Sequence, residues 1–79
     1  MKRLQKLLRA LNDYLDSNAY YDDDKQETII EGGKDRCYDS VMKDEEIHLL
    51  TSDVVKLYID LMFDDWKTFD LICRENNGY

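Results

Sequence analysis

Apolar residues recur at helical spacing over the first sixteen positions of the chain. With successive residues placed about 100° apart, six of them fall within one arc of about 120°: Leu4, Leu7, Leu8, Leu11, Tyr14 and Leu15. Charged side chains occupy the opposite side, and Arg9 and Asp13 stand four residues apart, the spacing at which side chains on a helix meet. The pattern predicts an amphipathic helix over residues 2–16.

The middle of the chain, residues 18–50, is irregular and contains runs that suit β-strands. Two such runs, 27–31 and 36–42, flank Gly32-Gly33, the only glycine pair. They predict an antiparallel hairpin that turns at the glycines. Cross-strand chemistry favours a four-residue loop, which sets Ile30 against Cys37, over a two-residue loop.

A third strand is expected through residues 47–50, after a turn at 43–45. A short helix over 44–50 is the alternative, because Glu45, Glu46 and the two leucines that follow are good helix formers. The sequence leaves the two readings open.

Thr51-Ser52-Asp53 predicts the start of a helix, because a hydroxyl N-cap is followed by an acid near the positive end of the helix dipole. The apolar residues that follow share one broad arc: Val54, Val55, Tyr58, Leu61, Met62, Trp66, Phe69, Ile72 and Cys73. A continuous helix would bury Asp65 in that arc, which is costly for an unpaired charge. We therefore predict a break near Asp64-Asp65, a final helix over 66–75 capped by one of these acids, and an end at Asn76-Asn77-Gly78.

The resulting order is one helix, two or three strands and one or two C-terminal helices. It predicts an α+β fold with the sheet covered on one face, and an all-α fold is the alternative. Seventy-nine residues make one small domain, 1–79. The apolar arcs place Tyr14, Tyr58 and Trp66 in the core, and leave Tyr20, Tyr21, Tyr38 and Tyr79 as candidates for exposed recognition residues.

The charge is divided unevenly along the chain. The net charge is −7, from 11 Lys and Arg and 18 Asp and Glu, yet residues 1–11 carry only cations: Lys2, Arg3, Lys6 and Arg9. Residues 12–79 therefore carry −11. Phosphate repels such a chain, so we expect no direct binding to nucleic acid. Four cations on one short helix bind a membrane weakly, so we expect no membrane partner and expect these cations to pair with the acidic body of the domain.

Two acidic clusters contain no basic residue, and we predict that they bind a partner protein with a basic surface. The predicted binding residues are Tyr20, Tyr21, Asp22, Asp23, Asp24, Asp44, Glu45 and Glu46. An extended chain places residues about 3.3 Å apart, so the first cluster approaches the charge density of duplex DNA, about one charge per 1.7 Å. In contrast, Asp53, Asp60 and Asp64 alternate with lysines, which is typical of a self-neutralised face.

The acidic, histidine and cysteine residues do not follow the spacing of a known metal-binding or catalytic motif. Asp22, Asp24 and Gln26 alternate as in a calcium loop, but Glu27 stands where that loop needs glycine and Gly33 stands where it needs an acid. His48, the sole histidine, is predicted to be a half-buried strand residue. Cys37 and Cys73 are predicted to be free, buried thiols. We expect no catalytic residue, no metal and no cofactor, because the motifs for them are absent.

The interrupted leucines of the first helix form neither a secretory signal nor a membrane span, so we expect a protein of the host cytoplasm. In size, acidity and lack of catalytic motifs the chain resembles the small inhibitors of phages and mobile elements, including anti-CRISPR and anti-restriction proteins. This compositional resemblance implies a non-enzymatic DNA mimic that blocks a nucleic-acid-binding surface. The alternative is an adaptor, immunity or antitoxin-like subunit that acts through protein–protein pairing, with a homodimer among its forms.

Overall fold

A computed structural model describes residues 2–79 of the chain, with side-chain surroundings from Arg3 onward. Four helices, one two-stranded antiparallel sheet and one 3-10 turn make an α+β fold, as the order of predicted elements indicated. The elements in chain order are α1 (Lys2–Asn18), β1 (Ala19–Asp22), β2 (Glu27–Ile30), α2 (Gly33–Val41), the 3-10 turn (Ile47–Leu49), α3 (Ser52–Asp64) and α4 (Trp66–Asn76).

The core is built by the helices and the 3-10 turn. Its buried side chains are Leu7, Leu8, Leu11, Tyr14, Cys37, Val41, Ile47, Val55, Ile59, Met62, Phe69 and Cys73. The leucine stripe of α1 is central to it, which confirms the predicted first helix. Phe69 is the largest side chain with no exposed surface, and removing such a ring costs about 3–5 kcal/mol.

The strand predicted over 27–31 is confirmed as β2, but its partner lies on the other side of it in the chain from the one predicted. β1 pairs with β2 in a hairpin that turns over residues 23–26, with Tyr20 opposite Ile29. Asp22 holds this turn, because its Oδ1 accepts from the Asp24 and Lys25 amides at 3.0 and 3.2 Å. Such a side-chain turn takes the place of the glycine turn we expected. Gln26 closes the loop with a positive φ of 55°.

The predicted second strand, 36–42, is wrong, because most of it belongs to α2. Cys37 and Val41 stand four residues apart and both face the core, so helical periodicity prevails over the β propensity of this run. Gly32, which was expected in a hairpin turn, has a φ of 85° and precedes the helix. The expected pairing of Ile30 with Cys37 is therefore absent.

The predicted third strand is also wrong, and the helical alternative is nearer to the structure. Asp44 Oδ1 accepts from the Glu46 and Ile47 amides at 2.9 and 3.3 Å, which starts the 3-10 turn. Ile47 is buried, whereas His48 is exposed rather than half-buried in a strand.

The C-terminal half confirms the capping signals. Thr51 is the N-cap of α3, and its Oγ1 accepts from the Val54 amide at 3.4 Å. The helix is interrupted at Asp65. The Asp65 carboxylate caps α4 by accepting from Thr68 N at 3.4 Å and from Thr68 Oγ1 at 2.7 Å. Two members of the predicted arc are nevertheless exposed: Val54 in the first turn of α3 and Trp66 at the start of α4, directly after the break.

Hydrogen bonds hold the C-terminal residues 77–78 against α1, and we call this contact the C-terminal clasp. The Asn12 side-chain amide donates to Gly78 O at 3.0 Å, while Gln5 and Arg9 donate to Asn77 O at 3.2 and 3.3 Å. Gly78 is buried, and a Cβ there would lie 2.6 Å from Leu8 Cβ. This clasp places Tyr79 beside α1.

The two thiols are free and buried, as predicted. Burial raises the pKa of Cys37 to about 12. None of the helices in residues 2–79 combines the length and the apolar character that a membrane span requires.

Candidate partner-binding surface

Among residues 3–79, five carboxylates form ion pairs, and all five follow α2 in the chain. Lys6 Nζ contacts Asp44 Oδ2 at 3.6 Å and Glu46 Oε1 at 3.5 Å. The other pairs are Lys34 with Asp60 and Asp64, at 3.2 and 2.6 Å, and Arg74 with Asp70, at 3.0 Å. The expectation that cations of the first helix pair with the acidic body is thus confirmed for Lys6, whereas Arg3 and Arg9 form no ion pair among residues 3–79 and the Lys2 side chain lies outside the described residues.

The predicted cluster at Asp44, Glu45 and Glu46 contributes to the fold itself. Desolvation acts to raise the pKa of Asp44, but the two amide hydrogen bonds and the Lys6 ammonium outweigh it, and the pKa is lowered overall. Lys6, remote in sequence, supplies the base that this cluster lacks locally. Of the three acids, only Glu45 has no ion-pair partner within the described part of the chain.

The carboxylates of residues 13–31 behave differently, and we call them the acidic surface. It comprises Asp13, Asp16, Asp22, Asp23, Asp24, Glu27 and Glu31. Lys25 is the only basic residue in this segment, and none of the seven forms an ion pair with residues 3–79, the part of the chain whose side chains are described. All except Asp22 are exposed. The segment therefore carries an unneutralised excess of six negative charges.

The hairpin that carries most of this charge is anchored only at its base. Tyr14 Oη donates to Glu31 O at 2.7 Å, and the Glu31 amide donates to Asn18 O at 2.9 Å. Ile30 is the hairpin residue that packs against the core, while residues 23–28 are all exposed. Asp23 and Asp24 thus project at the hairpin tip, whereas Asp22 is occupied in holding the turn.

Tyr20 and Tyr21 are 49% and 59% exposed, as expected for recognition residues. Because side chains alternate along a strand, they point to opposite faces of the hairpin. Tyr21 shares its face with Thr28, and Tyr20 shares the other with Ile29. The structure therefore does not bring the two rings into one aromatic patch.

A groove beside the acidic surface was not predicted from the sequence. It has a volume of about 1070 Å³ and lies between α1, the hairpin and the junction of α3 with α4. The apolar residues that line it are Leu15, Ala19, Ile30, Met62, Phe63, Trp66 and Tyr79. The polar ones are Arg9, Asn12, Asp13, Asp16 and Thr28.

Trp66 is the groove residue that the sequence misplaced. It is 48% exposed, and its ring lies 5.6 Å from that of Phe69 at a tilt of 37°. The signal available in the sequence was its position directly after the capping residue Asp65. The first residue of a helix that follows a break does not continue the buried face of the preceding helix.

The remaining predicted recognition tyrosines differ from one another. Tyr79 is 60% exposed and lines the groove. Tyr38 is half-buried, packs against the core and lies under Lys56, whose Nζ is 5.4 Å from the ring centroid. That distance is within the range of a cation–π contact, so Tyr38 has a structural partner in its own chain.

Within residues 2–79, no group of three or more His, Cys, Asp or Glu side chains is placed to hold a metal ion. Comparison with known proteins finds no matching protein family, no similar curated protein and no similar solved structure. The candidate site thus consists of the acidic surface and the adjoining groove.

Proposed function

We propose that this protein is a non-enzymatic acidic inhibitor that blocks a basic, nucleic-acid-binding surface of a partner protein, in the manner of a DNA-mimicking anti-CRISPR or anti-restriction protein. The observation that carries the proposal is the acidic surface: seven carboxylates, one lysine and no ion pair within the described chain. The ion pairs found among the described side chains involve carboxylates outside this segment.

Like charges at these positions oppose folding. Asp22 and Glu27 stand directly opposite each other in the hairpin, a placement that destabilises a sheet when both charges have the same sign. A cationic surface on a partner would relieve this repulsion. The same field would steer encounter and raise the association rate by about 10-fold to 1000-fold over that of a neutral surface.

The test begins with capture of a partner from a host lysate by the immobilised protein, followed by identification by mass spectrometry. The association rate of the purified partner is then measured between about 0.05 M and about 0.5 M salt, where screening lengths fall below the size of the surface. We expect the rate to fall at least about 10-fold over this range. Duplex DNA should compete with the protein for the partner.

Charge reversal at the hairpin tip tests whether binding depends on the acidic surface itself or only on the net charge of the protein. Asp23→Lys/Asp24→Lys spares Asp22, which holds the turn. The matched control is Asp39→Lys/Glu75→Lys, which changes the net charge equally at two exposed residues of α2 and α4. We expect loss of binding in the first variant and retention in the control. A salt-independent rate, or equal loss in both variants, would refute the proposal.

A pairing subunit, such as an adaptor, immunity or antitoxin-like protein, is the second candidate. It is favoured by isolated exposed leucines on three elements: Leu49, Leu57 and Leu71. This candidate predicts a stable complex that resists salt and is lost on Leu57→Lys rather than on reversal of the tip carboxylates. Light scattering of the purified protein distinguishes a homodimer from a monomer.

A further inference from the structure

We infer that the groove between α1, the hairpin and the α3–α4 junction binds a cationic amphipathic segment of the partner protein, with its apolar side chains against Trp66 and Ile30 and its cations against Asp13 and Asp16. The inference rests on the proposed function, because the segment belongs to the same basic partner. It adds a second contact that holds the partner once charge has brought it near.

The size and lining of the groove favour a peptide segment. Its volume of about 1070 Å³ is at the upper limit of small-molecule sites, which span about 300–1000 Å³. Trp66 and Tyr79 remain 48% and 60% exposed in it. Large aromatic side chains at the centre of a contact supply most of the affinity of protein interfaces.

The charge of the groove selects a cationic segment. Asp13 and Asp16 lie three residues apart on one side of α1, line the groove and have no ion-pair partner among residues 3–79. Arg9, the basic residue of the lining, is held against Asn77 O. With Arg9 included, the charged residues of the lining sum to −1, and the lining continues through Thr28 to the acidic hairpin.

The basic helix of a second copy does not fit this description. The apolar face of α1 is buried in its own core, and Lys6 is already paired with Asp44 and Glu46. Releasing that helix would unfold the copy that donates it. The occupant is accordingly a segment of another protein.

Trp66 is the sole tryptophan of the chain, so its fluorescence reports on the groove directly. The probe is a synthetic peptide of leucine and lysine that places leucine on one helical face and lysine on the other. We expect saturable binding, a blue shift of Trp66 emission and protection from acrylamide quenching. A peptide of the same composition with the leucines dispersed should bind at least about 10-fold more weakly, because it cannot fill the groove and meet the acids together.

Two variants test the groove chemistry. Asp13→Lys/Asp16→Lys should weaken binding of the amphipathic peptide by at least about 10-fold, since like charges then face each other. Asp39→Lys/Glu75→Lys, with the same change of net charge, should leave it unchanged. Thr28→Arg introduces a cation at an exposed position of the groove wall and should also abolish binding. Far-UV circular dichroism confirms that each variant folds.

The outcomes separate this inference from the proposed function. Equal binding of the two peptides, binding without a change in Trp66, or a dimer that itself protects Trp66 would overturn the inference. Groove variants that lose the peptide yet bind the captured partner normally would also overturn it, while the proposed function stands. Tip variants that bind the partner normally would refute the charge proposal, while groove binding of the peptide stands.

Discussion

The junction at Asp65 offers a direct test of how the C-terminal half is built. Asp65 ends α3 and caps α4, and its carboxylate accepts from both the amide and the hydroxyl of Thr68. Asp65→Ala removes both hydrogen bonds. Loss of an N-cap costs about 1 kcal/mol, within a range of about 0.5–2. In a domain of this size, each kcal/mol lowers Tm by about 4–8 °C.

Alanine at position 65 also favours one continuous helix. This gain in helix propensity opposes the loss of the cap. The gain in helix propensity is at most about 0.7 kcal/mol for one residue. Straightening α3 into α4 would withdraw Phe69 from the core, at a cost of about 3–5 kcal/mol. The break should therefore persist in Asp65→Ala, with unchanged helix content and a Tm lower by about 4–8 °C.

Far-UV circular dichroism measures the helix content, and thermal and urea unfolding followed by the same signal measure the stability. Asp65→Asn and Asp65→Ser keep a side-chain acceptor and should lose less than half as much stability as Asp65→Ala. If the alanine variant were as stable as the parent chain, the cap would have no energetic role. If its helix content rose, the carboxylate rather than the packing of Phe69 would enforce the break.

Three further outcomes follow from individual contacts. Gly78→Ala should lower the free energy of unfolding by about 1–3 kcal/mol in urea, because the new Cβ would lie 2.6 Å from Leu8 Cβ; unchanged stability would show that the C-terminal clasp yields freely. Tyr14→Phe removes the hydrogen bond to Glu31 O and should cost about 0.5–1.5 kcal/mol and speed amide exchange in the hairpin, whereas unchanged exchange would show that Ile30 and the bond from the Glu31 amide to Asn18 O anchor it without Tyr14. Burial raises the pKa of Cys37 from 9.0 to about 12, so the folded chain keeps this proton when the unfolded chain loses it. Its contribution to stability is complete below pH 9 and declines toward pH 12, and urea midpoints of Cys37→Ala should fall less steeply over that range.

Local signals explain the elements that were predicted correctly. The leucine stripe of α1, the Thr51 cap of α3 and the Asp65 cap of α4 each involve residues within one or two helical turns of each other. Such patterns act through the backbone of their own segment, so the sequence alone is sufficient to read them.

The middle segment failed because its local signals conflict. Residues 36–42 combine β-favouring side chains with Cys37 and Val41 at helical spacing, and only burial of both against the other helices decides between them. The turn was misplaced for a related reason. The glycine pair is the more obvious turn signal by residue type, but the turn forms after Asp22, whose side chain can hold a turn without glycine.

The features of the candidate site also divide into those that the sequence determines and those that the tertiary structure determines. The chain by itself determined an acidic segment with two adjacent tyrosines, since composition and spacing are properties of the sequence. The tertiary structure alone decided that Lys6 pairs with Asp44 and Glu46, and that Trp66 lines a groove. These facts depend on which distant segments meet, and that choice follows from burying one common core rather than from any local pattern.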